Sequence, residues 1–219
     1  MIKALIFDLD GTLADTIDDI GWAVNRMLSE NGFPTLERAD HLANINNGAF
    51  QLIRRSLPEQ YREDETFVRA RLKEYEKWYS QHYAVDTYAY EGVTEALTVL
   101  AEKGYKLSIL SNKQDSYVKS IAEKLFANIP FTCAWGQSDL PTKPNPTSAL
   151  MVAEKMGVLP CETAFIGDSQ VDITTAKNAE MHPVGVNWGY RPAEQLISEG
   201  AKLIIKSGLD LQAIPELLN

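Results

Sequence analysis

Cysteine is nearly absent from this chain: Cys133 and Cys161 are the only two among 219 residues. Their separation suits neither a metal knuckle nor a disulfide framework, and such sparing use of thiols fits a reducing compartment. Long apolar runs are missing too. None approaches the roughly 20 residues that a bilayer span requires, and the few apolar residues ahead of Asp8 are too short for a signal peptide. The expected location is the cytoplasm. Positive charge is scarce, with 21 Lys and Arg against 30 Asp and Glu, a net charge of −9. That disfavours nonspecific nucleic-acid binding, which depends on neutralising phosphates. It also repels anionic ligands, so a phosphate site here must be made locally positive by a metal, a lysine or helix N-termini. No repeat or low-complexity segment is present.

What the chain does have is enough apolar residue, 45%, for a normal core. Its length suits one domain carrying a sizeable insert. The organising stretch is Ile6-Phe7-Asp8-Leu9-Asp10-Gly11-Thr12-Leu13. The apolar run before it reads as a strand buried on both faces of a parallel sheet. Side chains alternate along a strand, so Asp8 and Asp10 should leave the sheet in the same direction. Gly11 then permits a sharp turn. Ligand sites of open α/β sheets lie at the carboxyl ends of strands. Two adjacent carboxylates there repel unless a proton or a cation separates them. A hard divalent cation such as Mg²⁺ fits that donor set. Capping of a turn is the plainer alternative for the two acids.

The rest of the chain divides by pattern. Helices are expected over 17–30, capped by Asp15-Thr16, then over 37–44, 49–56 and 65–82, with no convincing strand among them. That block, 15–85, reads as a helical cap domain inserted into a core made of 1–14 and 86–219. In the core, helices over 93–102, 116–125, 146–156, 171–179, 192–198 and 209–217 alternate with strands over 106–110, 131–135, 163–167, 183–186 and 203–205. Alternation of this kind implies parallel pairing with right-handed crossovers. The expected fold class is α/β: a doubly wound, mostly parallel sheet with a small all-helical cap.

Three further positions carry chemistry. Ser111 and Asn112 close an apolar strand, either as a simple turn or as uncharged donors to phosphate oxygens. Lys143 lies in Thr142-Lys143-Pro144-Asn145-Pro146, where two prolines stiffen its approach. It is either a solvated loop lysine or a fixed ammonium that offsets phosphate charge. Asp168, in Gly167-Asp168-Ser169, ends another strand and could complete a metal site with Asp8 and a backbone oxygen of Asp10. Asp172 is placed to hold Lys143 or a metal-bound water.

The run Asp8-Leu9-Asp10-Gly11-Thr12-Leu13 closely resembles the first motif of the haloacid dehalogenase-like hydrolases. Ser111, Lys143-Pro144-Asn145-Pro146 and Gly167-Asp168-Ser169 with Asp172 resemble the family's other three motifs, in the family's order. The resemblance covers the whole chain and implies the family's Rossmann-like core. It implies Asp8 as nucleophile toward the phosphorus of a phosphomonoester, forming an aspartyl-phosphate. Asp10 would be the general acid and base. Asp8, Asp10 and Asp168 would hold Mg²⁺, with Ser169 and Asp172 in support. Lys143, Ser111, Asn112 and the backbone around Gly11 and Thr12 would hold the phosphoryl oxygens. The presence of Asp10 favours a phosphatase or a mutase over a dehalogenase.

Selection of the leaving group falls to the cap. Asn46-Asn47-Gly48, with Arg54 and Arg55 after it, is similar to the cap segment of phosphoglycolate phosphatases, and so is Val186-Asn187-Trp188-Gly189-Tyr190-Arg191 near the C-terminus. The resemblance implies a small phosphorylated metabolite, foremost 2-phosphoglycolate, with Asn47, Gly48 and Arg55 among its contacts. Arg55 can pair with a carboxylate in bidentate fashion, or Arg54 and Arg55 can form an ordinary solvated helix face. A phosphosugar mutase of the β-phosphoglucomutase kind, a sugar-phosphate phosphatase and a catalytically quiet binding protein are the alternatives. No nucleic-acid or membrane partner is expected, and the chain is a monomer or a homodimer.

Overall fold

The computed structural model describes all 219 residues. The chain opens with β1 (Ala4–Phe7) and the two-residue β2 (Ala14–Asp15). Four helices follow: α1 (Ile17–Glu30), α2 (Arg38–Asn44), α3 (Ala49–Ser56) and α4 (Glu65–His82). After β3 (Tyr88–Ala89) come α5 (Val93–Glu102), β4 (Lys106–Gln114), α6 (Asp115–Phe126), β5 (Phe131–Gln137) and α7 (Thr147–Met156). The chain closes with β6 (Thr163–Gly167), α8 (Gln170–Asn178), β7 (His182–Val186), α9 (Ala193–Glu199), β8 (Leu203–Ile205) and α10 (Ile214–Leu217). It divides into two compact units, Met1–Asp15 with Ala89–Asn219, and Thr16–Tyr88.

In the first unit, six strands form one sheet in the order β5-β4-β1-β6-β7-β8. Every pair is parallel, with Leu5 opposite Leu107 on one side and Ala164 on the other. β1 is central and buried along its whole length, as its unbroken apolar run requires when helices cover both faces. On one face Ala4, Ile6 and Phe165 pack with Val152, Met156 and Ala176 from α7 and α8. The strand order reverses between β4 and β6, either side of β1. In an open parallel sheet that switch point leaves a crevice beyond the strands' carboxyl ends.

The second unit packs around α1, whose Ile20, Val24, Met27 and Leu28 form one buried stripe. Across from it α4 buries Val68, Tyr75 and Tyr79. The carboxylate of Asp19 is fully buried. It accepts hydrogen bonds from Thr87 Oγ1 at 2.6 Å and the Asp86 amide at 3.0 Å, and lies 2.9 Å from His82 Nδ1.

Three local expectations need correction. β4 does not stop at Leu110 but continues to Gln114, because pairing with β5 resumes at Gln114–Gln137 after an irregularity. The apolar pattern ends earlier because residues 111–113 carry polar side chains toward the site. The closing helix over 209–217 is instead a 3-10 segment, Gly208–Ala213, followed by α10. Pro215 lacks the N–H that a continuous ladder needs there, so the preceding residues close tighter turns. Thr16 stands at the N-cap of α1 without a side-chain capping bond, and the Asp15 carboxylate instead accepts from the Tyr190 hydroxyl at 3.4 Å.

Candidate active site

The site gathers at the carboxyl ends of β1, β4 and β6. Asp8 follows β1 directly. Its amide donates to the Ile166 carbonyl at 2.9 Å, extending the pairing by one residue. Its Oδ1 accepts from the Leu9 amide at 2.7 Å, and its Oδ2 lies 3.0 Å from Lys143 Nζ. Lys143 is buried and donates also to Asp172 Oδ1 at 2.6 Å. Asp172 is in turn fixed by its own helix start: its Oδ2 accepts from the Ser169 amide at 3.1 Å and hydroxyl at 2.7 Å, a capping box at the head of α8. The bridge from Asp8 through Lys143 to Asp172 therefore ends on rigid backbone.

Asp168 is held from the opposite direction. Its Oδ2 accepts from the Tyr190 amide at 2.7 Å, and Thr12 Oγ1 lies 3.5 Å from its Oδ1. The indole of Trp188 donates to the Thr12 carbonyl at 3.0 Å, tying the loop after β7 to the loop after β1. Between them Gly11 has φ +78°, and a Cβ built there would stand 2.3 Å from Asp168 Oδ2. Glycine is required at this position by both backbone conformation and space.

Ser111, Asn112 and Lys113 occupy the irregular stretch of β4, and their side chains serve different ends. Ser111 is buried, and its hydroxyl accepts from the Lys113 amide at 3.3 Å. Asn112 turns to the Lys143 loop, donating to the Lys143 carbonyl at 3.0 Å and accepting its amide at 2.9 Å. Both ends of its side-chain amide thus engage the backbone of the Lys143 loop, which makes Asn112 a brace for that loop. Lys113 donates to Asp10 Oδ1 at 3.0 Å and Oδ2 at 3.2 Å, with only 6% of its side chain exposed.

The electrostatics follow from burial. Asp8 is pushed up to about 7, chiefly by loss of hydration and further by Asp172 and Asp10, against the pull of Lys143. Asp168 is raised well above the usual carboxylate range by burial, then by Asp172 and Asp8. Lys143 is raised although burial opposes it, because Asp172 and Asp8 together outweigh that effect. Asp8, Asp168 and Asp172 present carboxylate oxygens within 4.8 Å of one another. With all three ionised, three carboxylates face one ammonium, an excess of two negative charges that a divalent cation would cancel. These hard oxygen donors suit such an ion, so the cluster could bind a metal.

A model of the haloacid dehalogenase-like hydrolases matches residues 5–186. The chain belongs to this family. The hydrolase is 32% identical over 218 residues to a phosphoglycolate phosphatase of Pseudomonas putida, covering 97% of this chain and 78% of that one. It is 31% identical to a phosphoglycolate phosphatase of Shigella boydii, covering 96% and 91%. A solved structure from Lactobacillus delbrueckii subsp. bulgaricus superposes with a TM-score of 0.89 at 29% identity, over 97% of this chain and 98% of that one.

In the hydrolase's helical unit, Asn46, Asn47 and Gly48 have φ values of 136°, 64° and 85°. Arg55 Nη1 donates to the carbonyls of Asn44 at 3.0 Å and Asn46 at 3.1 Å, so it braces this strained loop. Arg54 makes a bidentate pair with Glu63 at 2.6 and 2.7 Å.

The sequence reading missed Lys113, Tyr190 and Trp188 as site residues. Lys113 carried a usable signal: a lysine directly after Ser111-Asn112, at a strand end already marked by Asp10's neighbour strand. Trp188 and Tyr190 lie in a segment whose resemblance to phosphoglycolate phosphatases marked it out, but the contact with Asp168 is made by the Tyr190 amide, and any residue has an N–H.

Proposed function

We propose that this hydrolase cleaves the phosphate ester of a small metabolite, foremost 2-phosphoglycolate, through an aspartyl-phosphate on Asp8, with Mg²⁺ as cofactor. The observation that carries the reading is Lys143, bound at once to Asp8 and Asp172 beside Asp168. It supports a nucleophilic carboxylate kept next to fixed positive charge in a site otherwise too acidic for phosphate.

Asp8 Oδ2 attacks phosphorus, and the ester P–O bond breaks as the new P–O bond forms. Asp10 supplies a proton to the departing alkoxide, then takes one from the water that cleaves the aspartyl-phosphate, regenerating Asp8. Lys143 stabilises charge on the equatorial oxygens, and Ser111 and the backbone around Gly11 and Thr12 orient them. Asp8, Asp168 and the backbone of Asp10 would hold Mg²⁺, which supplies Lewis-acid charge neutralisation. Asp172 and Ser169 fix Lys143, and Asn112 fixes its loop.

That relatives 31–32% identical to this chain are named phosphoglycolate phosphatases supports 2-phosphoglycolate. Phosphate release over a panel of esters, with and without chelator, tests the reading. Highest kcat/KM on 2-phosphoglycolate with loss of activity in chelator is expected. Higher efficiency on sugar phosphates overturns the substrate, and isomer interconversion with little phosphate released overturns the reaction class.

A further inference from the structure

Lys113 has no part in the reaction derived above, yet it is among the least exposed lysines of the site. Its side chain is 6% exposed, and its Nζ meets both oxygens of Asp10. Holding a long, strongly hydrated side chain in so dry a place costs hydration and rotamer freedom. Positioning Asp10 explains part of this. The location explains more.

Asp10 is the group that must reach the ester oxygen of the leaving group. Lys113 Nζ lies 3.0 Å beyond Asp10 Oδ1, so it stands within about 6 Å of that ester oxygen, the sum of two hydrogen-bond lengths. In 2-phosphoglycolate the carboxyl carbon is two bonds from the same oxygen. A carboxylate carried by the leaving group is therefore within reach of the ammonium of Lys113. The site's other lysine, Lys143, already bridges two carboxylates, Asp8 and Asp172. A chain with a net charge of −9 needs a local cation to accept a second anionic group.

We propose that Lys113 reads the leaving group's carboxylate, pairing with it while still in contact with Asp10, and so sets specificity for 2-phosphoglycolate over esters of uncharged alcohols. The inference rests on the phosphatase reading and adds the core residue that recognises the substrate's second anion. An ammonium has three N–H donors, so it can serve two carboxylates at once.

The test compares 2-phosphoglycolate with ethyl phosphate, which has the same ester without the carboxylate. kcat and KM are measured for the wild-type enzyme, Lys113→Met and Lys113→Arg. Both substrates lose rate in Lys113→Met, because Asp10 loses a partner. The ratio of their kcat/KM values is expected to fall about 10- to 100-fold, the worth of one charge-assisted hydrogen bond, mostly through KM for 2-phosphoglycolate. Lys113→Arg keeps the charge and is expected to recover most of the ratio, with a far-UV spectrum and thermal melt confirming that both variants fold. In an Asp8→Asn background, calorimetry with Mg²⁺ present reads binding without turnover, and Lys113→Met is expected to weaken 2-phosphoglycolate by a similar factor while leaving ethyl phosphate within about twofold. Equal losses on both esters, or an unchanged ratio, overturn the proposal and leave the phosphatase reading standing. A wild-type enzyme with no preference for 2-phosphoglycolate over ethyl phosphate overturns the substrate reading and this inference with it.

Discussion

The side chain of Asn112 closes a two-bond ring on the backbone of Lys143, donating to its carbonyl at 3.0 Å and accepting its amide at 2.9 Å. The end of β4 thus sets the position of a lysine on a different loop, and through it that of the Asp8 carboxylate. Asn112→Ala leaves a backbone N–H and C=O without these partners. Stability is expected to fall by about 1–3 kcal/mol, with kcat/KM falling alongside as Lys143 drifts from Asp8. Asn112→Asp keeps the acceptor alone and is expected to fall between. Thermal melts and steady-state kinetics on the same preparations check both.

The two acids after β1 are expected to fail differently. On the proposed mechanism Asp8→Asn takes away the nucleophile and is expected to abolish turnover. Asp10→Asn removes a proton carrier and is expected to slow turnover by roughly 10²- to 10⁴-fold. Stopped assays of phosphate release separate the two, and full activity in Asp8→Asn would refute the nucleophile.

Gly11 is expected to tolerate no side chain. Its φ of +78° and a would-be Cβ 2.3 Å from Asp168 Oδ2 make Gly11→Ala strained and displace Asp168. The backbone penalty alone is about 1–2 kcal/mol. The variant is expected to melt earlier and to need far more Mg²⁺ for half-maximal activity.

Stability should depend on pH in a direction set by Asp8. Its carboxyl rises from 3.8 to about 7 on folding. Between those values the metal-free folded protein keeps a proton that the unfolded chain gives up, so stability declines as pH rises through that window. Asp8 contributes on the order of 4 kcal/mol, and Asp168, raised likewise by burial, acts in the same direction, with roughly 2–4 °C of Tm per kcal/mol in a chain of this size. Calorimetric melts in chelator are expected to fall by several degrees between pH 5 and pH 7.5. Saturating Mg²⁺ should flatten the decline, because a bound cation favours the ionised carboxylates. A Tm that rises with pH in chelator contradicts the electrostatics described here.

Arg55→Met tests the bracing of the 44–48 loop. Loss of two hydrogen bonds from Nη1 to the Asn44 and Asn46 carbonyls should raise amide hydrogen exchange over residues 44–48 and leave α5–α10 protected. Binding of 2-phosphoglycolate to the same variant, read by calorimetry, shows whether the loop's shape matters to substrate.

The sequence alone determined the elements and the places where chemistry could gather. Apolar runs of strand length, each ending in Asp8, Ser111 or Asp168, placed those groups at one edge of a parallel sheet, because such a sheet has all its carboxyl ends on the same side. Local backbone periodicity and turn chemistry are short-range properties, so they are legible from neighbours in the chain. Which partner each side chain takes is long-range, and only the tertiary structure decided it. Asn112 braces Lys143 across 31 positions, Lys113 meets Asp10 across 103, and the Tyr190 amide reaches Asp168 across 22. Arg55 Nη1 likewise meets the Asn44 and Asn46 carbonyls, 11 and 9 positions away, at a loop with three positive φ values that its own neighbours in the chain do not announce.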